Sequence, residues 1–133
     1  MGTYLDESYL LNKTVQRVKD NDDATYQKIV DITDNAIVQK CRDLGVFDMT
    51  AVPSPIPENL QNWAVGFFYK RVGLSYEDST QNVENDSDFD RYSKLIMRGN
   101  KEMAEWSKKL TKEIILGTDQ YRGNRVSFCV RFT

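Results

Sequence analysis

The chain has 133 residues, of which 40% are hydrophobic and 29% are charged, and its formal net charge is −2. This length suits one domain that needs no metal or disulfide to hold its core. The near-neutral charge gives no strong reason to expect nucleic-acid binding. No apolar stretch approaches the ~20 residues of a membrane span, so we expect no membrane partner. Cys41 and Cys129 lie in no metal-binding spacing and are expected to be free thiols.

The first part of the chain predicts two helices. The first runs from about Glu7 to Lys19, with Asp6 as its N-cap. The second runs from about Ala24 to Leu44, where apolar residues recur at intervals of three and four. The polar run at 20–23 separates the two helices and offers a cap for the second, and Gly45 is suited to end it.

The next part predicts a proline-marked loop and a third helix. Prolines at 53, 55 and 57 keep the loop from Val46 to Pro57 extended. A helix is expected to start at Pro57 and to end at Gly73. It carries the most aromatic stripe of the chain, which makes it the expected central core helix. The stripe consists of Leu60, Trp63, Ala64, Phe67, Phe68 and Val72.

The last helix follows a polar linker. Residues 74–90 contain six acidic side chains and no Lys or Arg, which predicts a solvated loop. A long helix is expected from about Asp88 to Gly117, with apolar residues close to a 3.5-residue period. Gly99 interrupts this pattern and indicates a point of close contact or a mild bend.

The C-terminal segment has a different pattern. Its apolar residues alternate with polar ones, as in a β-strand, at Val126, Phe128, Val130 and Phe132. A single strand needs a partner for its backbone hydrogen bonds. One candidate is a weakly marked strand near Ala51 and Val52, on which the segment would fold back as a small hairpin. The other is a second chain.

These elements define the expected fold class. It is mainly α, a small four-helix bundle-like domain over residues 1–117, followed by a C-terminal extended or β tail over residues 118–133.

The residue types argue against an enzyme. The chain has no histidine, which removes the commonest general base and metal ligand, and it has no glycine-rich phosphate loop. The acidic run at 85–90 resembles a calcium loop, but Arg91 and Met97 stand where that loop requires glycine and glutamate. Glu102 and Glu105 are expected to be surface charges. We therefore expect no catalytic residues, no cofactor and no metal site.

The order of features resembles a known family. The proline loop leads into a helix that contains Trp63-Ala64 and ends in Tyr69-Lys70-Arg71. The final helix contains Met103-Ala104-Glu105-Trp106 and closes with the run from Ile114 to Gly117. This pattern, over roughly residues 5–117, resembles the small helical head–tail connector (adaptor) proteins of tailed bacteriophages.

The resemblance implies a structural virion protein of the phage neck, made in the cytoplasm of the bacterial host. Such proteins form a ring, usually twelvefold, that binds the portal protein, extends the DNA channel and docks tail or neck proteins. They lie close to packaged DNA without binding a specific sequence. Their C-terminal segments commonly reach the portal or a neighbouring subunit. The predicted interface is therefore the tail, with the four alternating apolar residues and the basic residues Arg122, Arg125 and Arg131.

An alternative function is a small helical regulator that binds DNA or protein. Between Arg91 and Glu113 there are seven Lys or Arg residues and three Glu. The aromatic residues of this helix fall on its apolar side, where they favour a core role over stacking on bases. A salt-sensitive shift of DNA mobility would distinguish a DNA-binding regulator from a connector.

Overall fold

The computed structural model describes residues 4–80 and 86–117, and within 77–80 and 86–90 it describes the backbone alone. This part of the chain is mainly helical, as expected, and none of its residues forms a strand. Two 3-10 turns lie at Glu7–Tyr9 and Met49–Ala51. The five α-helices that pack together are α1 (Lys13–Asn21), α2 (Asp23–Asp43), α3 (Glu58–Thr80), α4 (Asp86–Ser107) and α5 (Lys112–Leu116).

The first helix starts later than the sequence indicates. Asp6 caps the 3-10 turn at Glu7–Tyr9, where its carboxylate accepts a hydrogen bond from the Ser8 N–H. Asn12 then caps α1, since its side-chain oxygen accepts from the N–H groups of Thr14 (2.8 Å) and Val15 (3.2 Å). The expected start at Glu7 was wrong because two capping side chains compete, and the second one begins the α-helix.

The ends of α2 are where the sequence predicts them. The Asp22 side chain accepts a hydrogen bond from the Thr25 N–H at the start of the helix. Gly45 follows the helix with a φ of 91°, a left-handed conformation that favours glycine. The buried face of α2 includes Tyr26, whose ring meets Phe68 of α3 edge-on at 5.5 Å. The further buried apolar residues of this helix are Ile29, Val30, Ile37 and Cys41.

The third helix is the central one, since it contacts α2, α4 and the first 3-10 turn. It continues through Gly73 to Thr80, so the expected end at Gly73 was wrong and the polar linker is shorter than predicted. A Cβ atom on Gly73 would lie 2.5 Å from Ile96 Cγ1 and 2.7 Å from the Tyr92 carbonyl oxygen. The glycine therefore serves the packing of α4 and does not end the helix.

Helices α3 and α4 form an antiparallel hairpin whose backbones touch at glycines. Gly66 lies against Gly99 and Met103, whereas Gly73, farther along α3, lies against the earlier part of α4. A Cβ on Gly99 would be 2.5 Å from the Gly66 carbonyl oxygen and 2.6 Å from the Lys70 amide nitrogen. The prediction of a close-contact point at Gly99 is confirmed.

The last predicted helix is two helices. α4 ends at Ser107, and Lys109 and Leu110 donate backbone hydrogen bonds in short turns to Trp106 and Ser107. Thr111 then caps α5, and Gly117 ends it with a φ of 75°. The expectation of one continuous helix was wrong, although its end at Gly117 is confirmed. Because the helix breaks here, α5 can place Ile115 in the core, where it is fully buried.

Candidate functional site: the tail exit and the proline loop

The predicted interface residues all lie beyond Gly117, outside the described residues. They are Arg122, Arg125, Val126, Phe128, Val130, Arg131 and Phe132. What the structure places is the point from which this segment leaves the helical domain. Its surroundings define the surface from which the predicted interface extends.

The tail leaves the domain beside the proline loop. The Gly117 N–H donates to the carbonyl oxygens of Glu113 and Ile114, which closes the last turn of α5. A Cβ atom on Gly117 would lie 3.0 Å from Pro53 Cγ, in addition to the strain of a positive φ. Glycine is therefore required at the exit for both conformation and space.

A cleft of about 520 Å³ opens at this exit. The proline loop, the first turn of α3 and α5 form its walls. The prolines were predicted to keep the loop extended and to stop the helix, and their role in building a surface was not predicted. The loop is not extended, since residues 54 and 55 lie in a bend, and the Ser54–Pro55 peptide bond is cis. The available signal was the clustering of three prolines within five residues, because each ring fixes its backbone φ and adds apolar surface. The lining residues are Pro53, Pro55, Pro57, Glu58, Asn59, Ile114 and Gly117.

A second cleft, of about 450 Å³, lies where the N-terminal segment meets the same loop. It shares Pro53 and Pro55 with the first cleft, and Tyr4 and Leu5 contribute to it. Asp34, buried on α2, holds this segment because its carboxylate accepts hydrogen bonds from the N–H groups of Tyr4 and Leu5, both at 3.0 Å. The described N-terminal segment and the tail exit therefore both border the proline loop.

The loop offers no strand to the tail. Met49–Ala51 forms a 3-10 turn, and the Asp48 side chain caps it by accepting from the Thr50 N–H at 3.0 Å. A weak strand near Ala51 and Val52 was the intramolecular partner considered for the tail, and that assignment was wrong. Asp48 decides the local structure, because an Asp side chain that bonds two residues ahead favours a turn over a strand.

The acidic residues considered for catalysis have structural or surface positions. Glu102 is half-buried and accepts a hydrogen bond from Trp106 Nε1 at 2.9 Å, and Glu105 is exposed. Residues 4–76 and 91–117 contain no cluster of three His, Cys, Asp or Glu that could hold a metal ion. The acidic run at 85–90 lies outside the residues whose side chains are described.

Two tyrosines with raised pKa values form hydrogen bonds between different parts of the helical domain. Tyr76 Oη donates to Asp22 Oδ2 at 2.7 Å, and its ring stacks on Tyr92 at 5.2 Å. Burial and this hydrogen bond raise the pKa of Tyr76 to about 12, while the same bond lowers the pKa of Asp22. Tyr26 Oη donates to Glu7 Oε1 at 2.7 Å, and burial raises its pKa. None of these arrangements has a nucleophile or base facing a cleft described above.

Some basic side chains near α4 lie over aromatic rings of the domain. Arg98 lies 4.9 Å from the ring centre of Tyr69, and Lys109 lies 4.4 Å from that of Trp106. Lys40 of α2 also lies over an aromatic ring, and its ammonium group donates to Ser107 Oγ at 2.7 Å. Such contacts are typical of basic side chains that pack on the surface of their own domain.

In the part of the chain that the structure describes, no helix is both long and apolar enough to cross a membrane. Comparison of the chain with protein-family models, curated proteins and solved structures found no match.

Proposed function

We propose that this protein is a structural virion protein, a head–tail connector that forms a ring below the portal of a tailed bacteriophage. The ring extends the DNA channel and docks the tail in the phage neck. The observation that carries the proposal is the relation between domain and tail. The tail has the alternating pattern of a strand, and the helical part that the structure describes contains no strand with which it could pair.

A strand in the tail needs partners for its backbone hydrogen bonds. A strand that pairs with nothing leaves its N–H and C=O groups to water and gains little from its apolar side chains. Addition to the sheet of another chain satisfies both needs. A hairpin formed within 118–133 itself is the remaining intramolecular solution. It would leave the apolar face of the tail without a matching sheet in residues 4–80 and 86–117.

The helical domain suits a repeated ring subunit. The α3–α4 hairpin is held by backbone contact at Gly66 and Gly99, so a neighbour would meet a stiff rod about 30 Å long. A tail that binds a different surface on the next copy makes a head-to-tail contact. Such contacts close into a ring when the rotation permits. The portal and the tail or neck proteins would bind the two faces of that ring.

Assembly of the purified protein tests the proposal. We expect the full chain to form rings by native mass spectrometry and electron microscopy, and to bind the portal protein of the same phage. Deletion of residues 118–133 should abolish assembly and leave the helical domain folded. A full-length protein that stays monomeric and ignores its portal would contradict the proposal.

A matched pair of tail variants sharpens the test. Serine at the apolar positions 126, 128 and 130 should abolish assembly, because these side chains form one face of the predicted strand. Alanine at positions 127, 129 and 133, on the other face, changes as many residues, leaves Arg131 in place and should weaken assembly much less. Equal loss in both variants would mean that no strand face is involved.

The alternative, a helical DNA- or protein-binding regulator, is supported by exposed Lys94, Lys101 and Lys108 on and after α4. The separation of these lysines by Glu102 and Glu105 opposes a phosphate-binding face. A salt-sensitive shift of DNA mobility at sub-micromolar protein would favour the regulator, and rings without such a shift would favour the connector.

A further inference from the structure

The cleft at the tail exit has a complementary segment close by in the chain. Gly117 forms part of its wall, Ile114 and the three prolines supply apolar surface, and Glu58 supplies a negative charge. We propose that this cleft binds the first residues of the chain's own C-terminal segment. In the bound state the Tyr121 ring lies against the prolines and Arg122 lies beside Glu58.

The reach of the chain supports this assignment. Tyr121 is four residues beyond Gly117, and four extended residues span at most about 14 Å. A cube with the volume of the cleft has an edge of about 8 Å. The residues at 118–120 are polar, so Tyr121 is the first large apolar side chain after the exit, and it lies within reach of the cleft.

The chemistry of the cleft fits a tyrosine followed by an arginine. Proline rings are rigid and apolar, and they pack against aromatic side chains in many peptide complexes. A tyrosine ring buries its apolar body in such a site and keeps its hydroxyl in water. Glu58 is exposed, so an ion pair with Arg122 would set the orientation of the segment more than its affinity.

The cleft is expected to bind the tail of its own chain in preference to the tail of a second copy, because the tethered tail has the higher local concentration. A short tether gives an effective concentration in the millimolar range, roughly a thousandfold above a micromolar solution of other copies. The docking goes beyond the connector function and does not require a ring. It would fix the base of the tail on the proline loop and leave residues 126–132 free to meet a partner chain.

Disulfide trapping tests the docking in the full chain. Cys129→Ser removes the thiol of the tail, and Cys41 is fully buried, so it does not compete. Asn59→Cys on the cleft wall is then paired with Gln120→Cys, which leaves Tyr121 in place. We expect an intramolecular disulfide that forms at least about tenfold faster than in a control pair, as proximity raises effective concentration.

The control pair combines Gln120→Cys with Lys112→Cys. Lys112 is exposed on α5 and does not line the cleft. It lies five residues before Gly117, about 7.5 Å along the helix, so residue 120 can reach it from the exit as it can reach the cleft. A flexible tail without a docking site would react with both cysteines at similar rates.

Further substitutions identify the docked side chains. Tyr121→Ser in the 59–120 pair should lower the trapping rate to that of the control pair, whereas Tyr9→Ser should leave it unchanged. Glu58→Lys should slow trapping, and Arg122→Glu in the same protein should restore it. Circular dichroism and the melting temperature establish that each variant is folded.

Three outcomes would overturn the docking. They are equal rates for the two cysteine pairs, no effect of Tyr121→Ser, and disulfide-linked dimers in place of the intramolecular product at micromolar protein. The last outcome would assign the cleft to a second copy. Trapping is measured within one chain, so a protein that fails to form rings can still pass this test, and a ring-forming protein can fail it.

Discussion

Gly99 lies where the backbones of α3 and α4 touch, and Gly99→Ala tests whether that contact holds the hairpin together. The new Cβ would lie 2.5 Å from the Gly66 carbonyl oxygen, about 0.9 Å closer than the 3.4 Å at which ordinary contact begins. The Lys70 amide nitrogen, at 2.6 Å, blocks a second direction. Both obstacles are backbone atoms, so no side chain can rotate away and the helices must move apart.

Two terms of opposite sign set the magnitude of the effect. Overpacking of a tight core costs about 3 kcal/mol at the upper end of its usual range, which rigid backbone obstacles favour. Alanine in a helix is favoured over glycine by about 1 kcal/mol. The net loss in the free energy of unfolding is therefore about 2 kcal/mol. For a domain of this size that lowers the melting temperature by roughly 8 °C.

Thermal and urea unfolding followed by circular dichroism measure this difference. Asn100→Ala is a matched control, because the neighbouring Asn100 is exposed on the same helix and its replacement adds helix propensity without a clash. We expect the control to be neutral or slightly stabilising, by a few tenths of a kcal/mol. A Gly99→Ala protein that melts higher than the parent would refute the packing argument, since propensity alone would then decide the outcome.

Three further predictions concern side-chain hydrogen bonds within the helical domain. Asp34→Ala should lower the free energy of unfolding by about 1–3 kcal/mol in urea, because two backbone N–H groups lose their acceptor, with Asp34→Asn as a milder control. Asn12→Ala should cost about 1 kcal/mol in the same assay through loss of the α1 cap, while Asn12→Asp should cost little. The raised pKa of Tyr76 makes its stabilising effect complete below pH ~10, the usual tyrosine pKa, and lost as the pH rises through about 12. Tyr76→Phe should therefore flatten the fall in melting temperature between these pH values, and an unchanged fall would mean that folding does not raise the pKa of Tyr76.

The candidate site shows where sequence reasoning stops. The alternating tail and the prolines were both visible in the sequence, but nothing in the sequence indicated that the tail leaves the domain at the prolines. That proximity depends on Gly117 of α5 packing against Pro53, two residues that are 64 positions apart. The 3-10 turn at Met49–Ala51, which removes the intramolecular strand partner, had a local signal in Asp48.

Local chemistry by itself determined the helical class, the caps of α2 and the glycine ends of α2 and α5. Each of these features depends on residues within one helical turn of each other, so a short stretch of sequence is enough to predict it. The tertiary structure alone decided that Gly73 lies inside α3 and that the last helix breaks after Ser107. Glycine both ends helices and allows helices to touch, and only the position of α4 against α3 selects between these roles.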